Sequence, residues 1–258
     1  MIPGPRGALH IRIYRPDSGE NRPVVVFFHG SGFVICSVET HDAMCRQICA
    51  QSQAIVVSVD YALAPENKFP AAPDDCLAAT RWVALHAGTF GGDSRRMALA
   101  GDSAGGALAA VTAIRLRDEG GGTTIKAQLL LYPITDYHDP GTPSYTERAV
   151  GYGLTGDGMR WFWAHYVKDA TEGRHPHASP LRAQTLTNLP PAYIVTAEYD
   201  PLRDEGELFA RRLGAAGVAV ALVRYPDMNH GFINWTGLID RSDEAMAAAC
   251  VWLKQALR

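Results

Sequence analysis

The stretch RMALAGDSAGG, residues 96–106, limits what this chain can fold into more than any other. An apolar run enters Gly101, a serine follows at 103, and small residues leave it as Ala104, Gly105, Gly106 and Ala107. The pattern predicts a buried strand over 96–102, a sharp turn at Ser103, and a helix to about Glu119 that Gly120, Gly121 and Gly122 end. A G-x-S-x-G turn between strand and helix lifts the serine hydroxyl above the end of a sheet. Glycine at 101 and 105 lets neighbouring backbones pass close to that turn. Ser103 then lies near a helix N-terminus, where backbone N–H groups favour developing negative charge. An ordinary N-cap serine would give a similar string, so the rest of the chain has to decide.

Strand and helix patterns alternate on both sides of this turn. Leu9, Ile11 and Ile13 alternate with His10 and Arg12, as on a half-exposed edge strand. PVVVFFHG at 23–30 is a continuous apolar run of the kind buried on both faces. A helix over 39–52, the strand AIVVSVDY at 54–61 and a helix from Pro73 to His86 precede the turn. Strands at 127–133, 192–200 and 218–226 follow it, with helices near 203–215 and 241–257. Such alternation implies a mostly parallel sheet covered on both faces. Residues 137–190 break the rhythm, and a connection that long needs structure of its own. They read as an insertion over the sheet's carboxyl end, with one helix near 157–169. Its stripe of Trp161, Phe162, Trp163 and Tyr166 suits either helix packing or the wall of a pocket. Residues 1–136 and 191–258 then form one catalytic domain, and 137–190 a cap.

Composition removes several classes of function. A formal charge of −3 gives no electrostatic case for nucleic acid. No apolar run approaches the roughly 20 residues that cross a bilayer, and the opening MIPGPRGALHIRIYRP lacks the apolar core of a signal peptide. The expected location is cytoplasmic. Five cysteines, an odd number, fit a reducing compartment. Cys45 and Cys49 lie one helical turn apart, so a metal pair is conceivable. Without a CxxC pair or a histidine cluster, small buried hydrophobes are the better reading, and no metal is expected.

A serine hydroxyl needs a general base, and neutral imidazole suits the task near pH 7. His230, in DMNHGF, follows the last predicted strand and so reaches the same sheet edge as Ser103. His10 is on an early strand, His86 ends a helix, and His138, His165, His175 and His177 belong to the insertion. A carboxylate must orient the imidazole. Asp200 follows the strand AYIVTAEY and precedes Pro201, again at the carboxyl edge, while Asp204 and Asp227 are rivals. The order Ser103, Asp200, His230 is the one expected of an α/β-hydrolase fold. Ala104, after the serine, and the small-residue loop His29–Gly30–Ser31–Gly32–Phe33 can supply backbone N–H groups for an oxyanion, each worth about 3 kcal/mol.

Together, HGSGF at 29–33, YALAPE at 61–66, GDSAGG at 101–106, DPLRDEG at 200–206 and HGF at 230–232 resemble the bacterial hormone-sensitive-lipase family (family IV) of esterases. The resemblance spans the whole chain. It implies an α/β-hydrolase fold with a partial cap, a catalytic triad of Ser103, Asp200 and His230, and an oxyanion hole from the amides of Ser31, Gly32 and Ala104. It implies a carboxylesterase for short- and medium-chain acyl esters that needs no cofactor, with a small-molecule ester as partner and neither nucleic acid nor membrane. Phe33, Trp161 and Phe232 are the aromatic candidates for substrate contact. A lipase, amidase, carbamate hydrolase or thioesterase would use the same triad. A non-catalytic receptor on this fold would lack the histidine present at 230. An exposed last strand could pair with a second copy, as in family relatives, to give a homodimer. Two departures stand out. Ser31 replaces the middle of three glycines, so a side chain enters the site. Relatives also usually carry several tens of residues before the first strand, as part of the lid. The expectation is a half-roofed pocket, more open and wetter than usual.

Overall fold

The computed structural model describes every residue except Asp17, Ser18, Ser31 and Gly121. Eight strands form one sheet: β1 (Ile2–Gly4), β2 (Gly7–Tyr14), β3 (Arg22–Phe28), β4 (Ile55–Asp60), β5 (Gly92–Asp102), β6 (Ile125–Leu131), β7 (Ala192–Tyr199) and β8 (Val220–Asn229). Their spatial order is β1-β2-β4-β3-β5-β6-β7-β8. β1 and β2 pair antiparallel, β2 pairs antiparallel with β4, and all other pairings are parallel. The short β1 is an addition to the pattern read from sequence; three residues carry too little alternation to announce a strand.

The strand residues alternate between two separate cores, as period-2 geometry requires. Val24, Val26 and Phe28 of β3 face one side with Ile55, Val57 and Val59 of β4. Val25 and Phe27 face the other with Val56. The first side is covered by α2 (Ala71–His86), α3 (Ala104–Glu119) and α7 (Arg203–Ala215), through residues such as Cys76, Val83, Leu108 and Phe209. The second is covered by α1 (Asp42–Ser52) and α8 (Asp240–Ala256), through Met44, Ile48, Met246 and Leu253. With every β3 residue from Val24 to Phe28 at 0% exposure, each side chain contributes roughly 1.5–3 kcal/mol of apolar burial. Both faces of the central strands are therefore committed to packing, and their carboxyl ends are left for chemistry.

Between β6 and β7 the chain makes the short helices α4 (Pro143–Glu147) and α6 (Ala170–Gly173) and the longer α5 (Gly156–Tyr166). α5 starts where Thr155 accepts the Gly158 N–H at 2.9 Å. It stops before 169 because Val167 is extended and Asp169 caps the next turn. Met159, Trp163 and Tyr166, at i, i+4 and i+7, form its buried face. Tyr166 stacks on Phe33 with ring centroids 3.9 Å apart, and its carbonyl accepts the Phe69 N–H at 2.9 Å, which seats the segment between β6 and β7 against the loop after β3.

Candidate active site

β5 runs directly into Ser103, whose backbone takes φ +54° and ψ −119°. For a residue with a Cβ this costs about 1–3 kcal/mol, and the surroundings hold it. The Ser103 N–H donates to the Leu131 carbonyl at 2.8 Å, and the Ser103 carbonyl accepts from Ile134 at 3.1 Å and Ala107 at 3.2 Å. Glycine is obligatory beside it. A Cβ at Gly105 would overlap the Phe28 carbonyl, and one at Gly101 would overlap the Gly105 backbone. α3 can cross β3 this closely only without those side chains. Ala104 opens α3, so its N–H has no partner within the helix.

His230 follows the last residue of β8, and Asp200 the last residue of β7. The three side chains form one series. His230 Nδ1 lies 2.7 Å from Asp200 Oδ2, and His230 Nε2 lies 2.9 Å from Ser103 Oγ. Asp200 is fully buried, and its Oδ1 accepts the Leu202 N–H at 2.8 Å. A carboxylate only accepts, so Nδ1 carries the imidazole proton. Nε2 is left with a lone pair for the Ser103 hydroxyl. The Tyr132 ring meets the imidazole edge-on at 5.0 Å and Phe232 packs beneath Tyr132 at 5.9 Å, so the ring has a wall as well as a partner. The rivals are engaged elsewhere. Asp204 accepts the Ser144 N–H at 2.9 Å and pairs with Arg203 at 2.8 Å. Asp227 is exposed, and its N–H donates to Glu198 at 2.9 Å.

A second buried pair lies behind the glycine loop, and sequence reasoning misses it. Asp102, 2% exposed, accepts the Gly30 N–H at 2.7 Å and faces His41 Nε2 at 3.3 Å. The protonation of His41 follows from its neighbours. The single Thr40 hydroxyl proton goes to the Ser37 carbonyl at 2.8 Å, so Thr40 Oγ1 must accept from His41 Nδ1 at 2.9 Å. Asp102 accepts from the other nitrogen, which makes His41 an imidazolium. Burial opposes that cation, but the Asp102 carboxylate outweighs it and holds the His41 pKa above its usual value. Burial likewise opposes the Asp102 anion, and His41 outweighs it. His29 is different: burial, with repulsion from His41, lowers it to about 4, so it stays neutral. Its ring stacks on Tyr61 at 4.3 Å, and the Tyr61 hydroxyl donates to the His29 carbonyl at 2.6 Å. The clue in the sequence is a charged residue at 102, inside a turn otherwise made of small and apolar residues.

Beside Ser103 and His230 lies a cavity of about 210 Å³, whose wall includes Gly32, Ile35, Leu154, Met159, Phe162 and Asn234. Three aromatics expected at this pocket are elsewhere. Phe33, 2% exposed, is turned into the core against Tyr166. Phe232, 1% exposed, packs between Tyr132 and Tyr225. Trp161, 48% exposed, points outward from α5. Phe162 takes the place expected of Trp161, because the buried face at 159, 163 and 166 leaves 162 on its pocket side and 161 on its outer side. Gly32 has φ +55°, and a Cβ there would strike the Phe162 ring. The third amide expected at the oxyanion hole belongs to Ser31, which lies outside the described residues. Among the described residues no group of three or more His, Cys, Asp or Glu side chains could hold a metal ion. No described helix is long and apolar enough to cross a membrane.

A strained serine at a strand–helix turn, hydrogen-bonded to a histidine that a buried carboxylate orients, defines a serine hydrolase on an α/β sheet. Residues 25–234 match the model of the alpha/beta hydrolase fold family, and the chain belongs to that family. It is 44% identical to the esterase LipI of Mycobacterium tuberculosis, over 99% of this chain and 81% of that protein. It is also 44% identical to the carboxylesterase NlhH of Mycobacterium tuberculosis, over 96% and 79% of the two. Among solved structures, that of EstE1, a thermostable carboxylesterase cloned from a metagenomic library, superposes with a TM-score of 0.97 at 44% identity. That match covers 100% of this chain and 87% of that one.

Proposed function

We propose that this chain hydrolyses small carboxylic esters through an acyl-enzyme, with Ser103 as nucleophile, His230 as general base and acid, and Asp200 as its orienting carboxylate. The relatives are ester hydrolases of the same family, and this chain is one too. The observation that carries the residue roles is the unbroken series from Ser103 Oγ through His230 to Asp200. Ser103 Oγ attacks the ester carbonyl carbon while its proton passes to His230 Nε2. The resulting imidazolium is stabilised by Asp200. The amides of Gly32 and Ala104, with that of Ser31, receive the oxyanion. Collapse breaks the bond to the alcohol oxygen, which takes the proton from His230. Water then attacks the acyl-enzyme by the same route and releases the acid. No cofactor enters either half.

The cavity is smaller than the roughly 300–1,000 Å³ of a drug-sized site, which supports short to medium acyl groups. Its apolar wall joins Ile35 to Leu154, Met159 and Phe162, which belong to the segment between β6 and β7. We accordingly assign 137–190 as a cap, over a catalytic domain of 1–136 and 191–258. β8 forms one edge of the sheet with Leu222 exposed, which supports a homodimer paired through that edge. Five free cysteines, four of them buried, support a reducing, cytoplasmic setting. The test is turnover of p-nitrophenyl esters from two to sixteen carbons, beside amide, carbamate and thioester substrates, with and without an organophosphate. Inhibitable turnover confined to short and medium esters is expected. Faster cleavage of amides, carbamates or thioesters, or of the longest acyl chains, would overturn it.

A further inference from the structure

Glu205 is a carboxyl group that the reaction does not use. It lies in the first turn of α7, five residues beyond Asp200, and is 1% exposed. Its Oε1 accepts two backbone N–H groups, from Thr135 at 2.7 Å and from Asp136 at 3.2 Å. These residues are where the chain leaves β6 for the insertion. The returning end is tied to the same point. The Leu181 N–H donates to the Thr135 carbonyl at 2.8 Å, and Arg182 binds the Asp136 carboxylate at 2.5 and 3.2 Å. α4 is held one turn away, where Ser144 Oγ donates to the Pro201 carbonyl at 2.6 Å.

We propose that Glu205 is a positioning residue for substrate: by clamping the root of the insertion at Thr135 and Asp136, it sets the distance between the Ser103 hydroxyl and the wall made by Leu154, Met159 and Phe162. The inference rests on the ester-hydrolase reading of the site. The choice of residue type follows from hydrogen-bond accounting. Two adjacent buried N–H groups point at one spot, and leaving either unpaired forfeits its hydrogen bonding to water without replacement. One side-chain oxygen satisfies both. The charge itself is not what the spot requires. Burial pushes the Glu205 carboxyl up to about 8 against the pull of the two N–H groups, and the nearby Asp136 carboxylate adds to the rise. An uncharged acceptor of the same length therefore fills the role, whereas a missing acceptor frees the root.

The experiment compares wild type, Glu205→Ala and Glu205→Gln by two readouts. One is the ratio of kcat/KM for p-nitrophenyl hexanoate to that for the acetate, which is independent of the fraction of active enzyme. The other is hydrogen exchange along the chain. Glu205→Ala is expected to shift the ratio by about fivefold or more, because a displaced wall misplaces the longer chain. Exchange should rise in 135–183 while β3, β5 and β6 stay protected. Glu205→Gln is expected to return both readouts to within about twofold of wild type. A ratio unchanged in Glu205→Ala, or a rise in exchange spread evenly over sheet and insertion, would overturn the proposal. Glu205→Asp shortens the arm and stands in if Glu205→Ala does not fold, with the same shift expected. Wild-type enzyme inert to both esters would count against the ester reading, while the exchange pattern would still decide the clamp.

Discussion

Replacing Asp200 by asparagine changes one atom for another of the same size, and the structure says which way the new amide must face. The carboxylate now serves two donors, the Leu202 N–H at Oδ1 and the His230 Nδ1–H at Oδ2. Asparagine has one acceptor oxygen and one NH₂ group. The Leu202 N–H cannot turn away, since it belongs to the backbone entering α7. The amide oxygen therefore stays with Leu202, and the NH₂ group faces His230. Nδ1 must then accept, which moves the imidazole proton to Nε2. Ser103 Oγ, 2.9 Å from Nε2, loses its base, and the imidazolium loses its counter-charge. A wrong tautomer in such a triad lowers kcat on the order of 10⁴-fold, about 5.5 kcal/mol. The assay is kcat for p-nitrophenyl acetate, normalised to the serine labelled by an organophosphate at long exposure, with circular dichroism to check the fold. Asp204→Asn is the control, expected within about threefold of wild type, because its oxygen can still accept the Ser144 N–H. A loss below about tenfold in Asp200→Asn would refute the tautomer argument.

Gly105→Ala places a methyl group on the Phe28 carbonyl, and pushing α3 off β3 should destabilise by on the order of 3 kcal/mol; urea denaturation against Gly88→Ala, where a Cβ meets nothing, decides it, and equal stabilities would contradict the close crossing. Phe162→Ala should raise kcat/KM for octanoate relative to acetate by about tenfold, while Trp161→Ala leaves the ratio unchanged; the reverse result would restore Trp161 to the pocket. Because the His41 pKa is raised in the folded chain, its contribution to stability is complete below about 6.5, the unfolded value, and is lost as pH rises through the folded value. The stability of wild type over His41→Gln should therefore shrink as pH rises above about 6.5; a constant difference would mean that His41 is neutral. All three follow from packing or charge at the site, and none requires the natural substrate.

The parts of the molecule with a strong period are legible in the amino-acid order itself. The two-sided burial of β3, the turn at Ser103, and the positions of Asp200 and His230 just past β7 and β8 all follow from apolar runs and the rule that sites gather at strand carboxyl ends. What is not legible there is set by local hydrogen bonds or by contacts between distant segments. α1 begins at Asp42 rather than at 39 because Ser37, Glu39 and Thr40 close a turn on one another's side chains. The pairing of His41 with Asp102 joins residues 61 positions apart, and no spacing along the chain announces it. The aromatic stripe is plain in the sequence, but its direction is not, since Trp161 and Phe162 are adjacent and only the register of α5 separates them.

Asp200, Asp102, His29 and Glu205 are all buried around the carboxyl end of the sheet, and each makes a hydrogen bond to the backbone. A buried polar or charged group is weak support for stability, since well-packed apolar residues often do as well or better. What these groups supply is direction. A carboxyl oxygen that accepts a named N–H fixes a loop to within a hydrogen bond's tolerance, which an apolar contact cannot do. Asp200 fixes the His230 ring, Asp102 fixes the Gly30 loop, and Glu205 fixes the backbone at Thr135 and Asp136, so imidazole, glycine loop and the segment leaving β6 are each referred to the same rigid sheet. That arrangement explains why the motif segments are dense in small and acidic residues. The small ones let the backbones meet, and the acidic ones hold them in register once they have met.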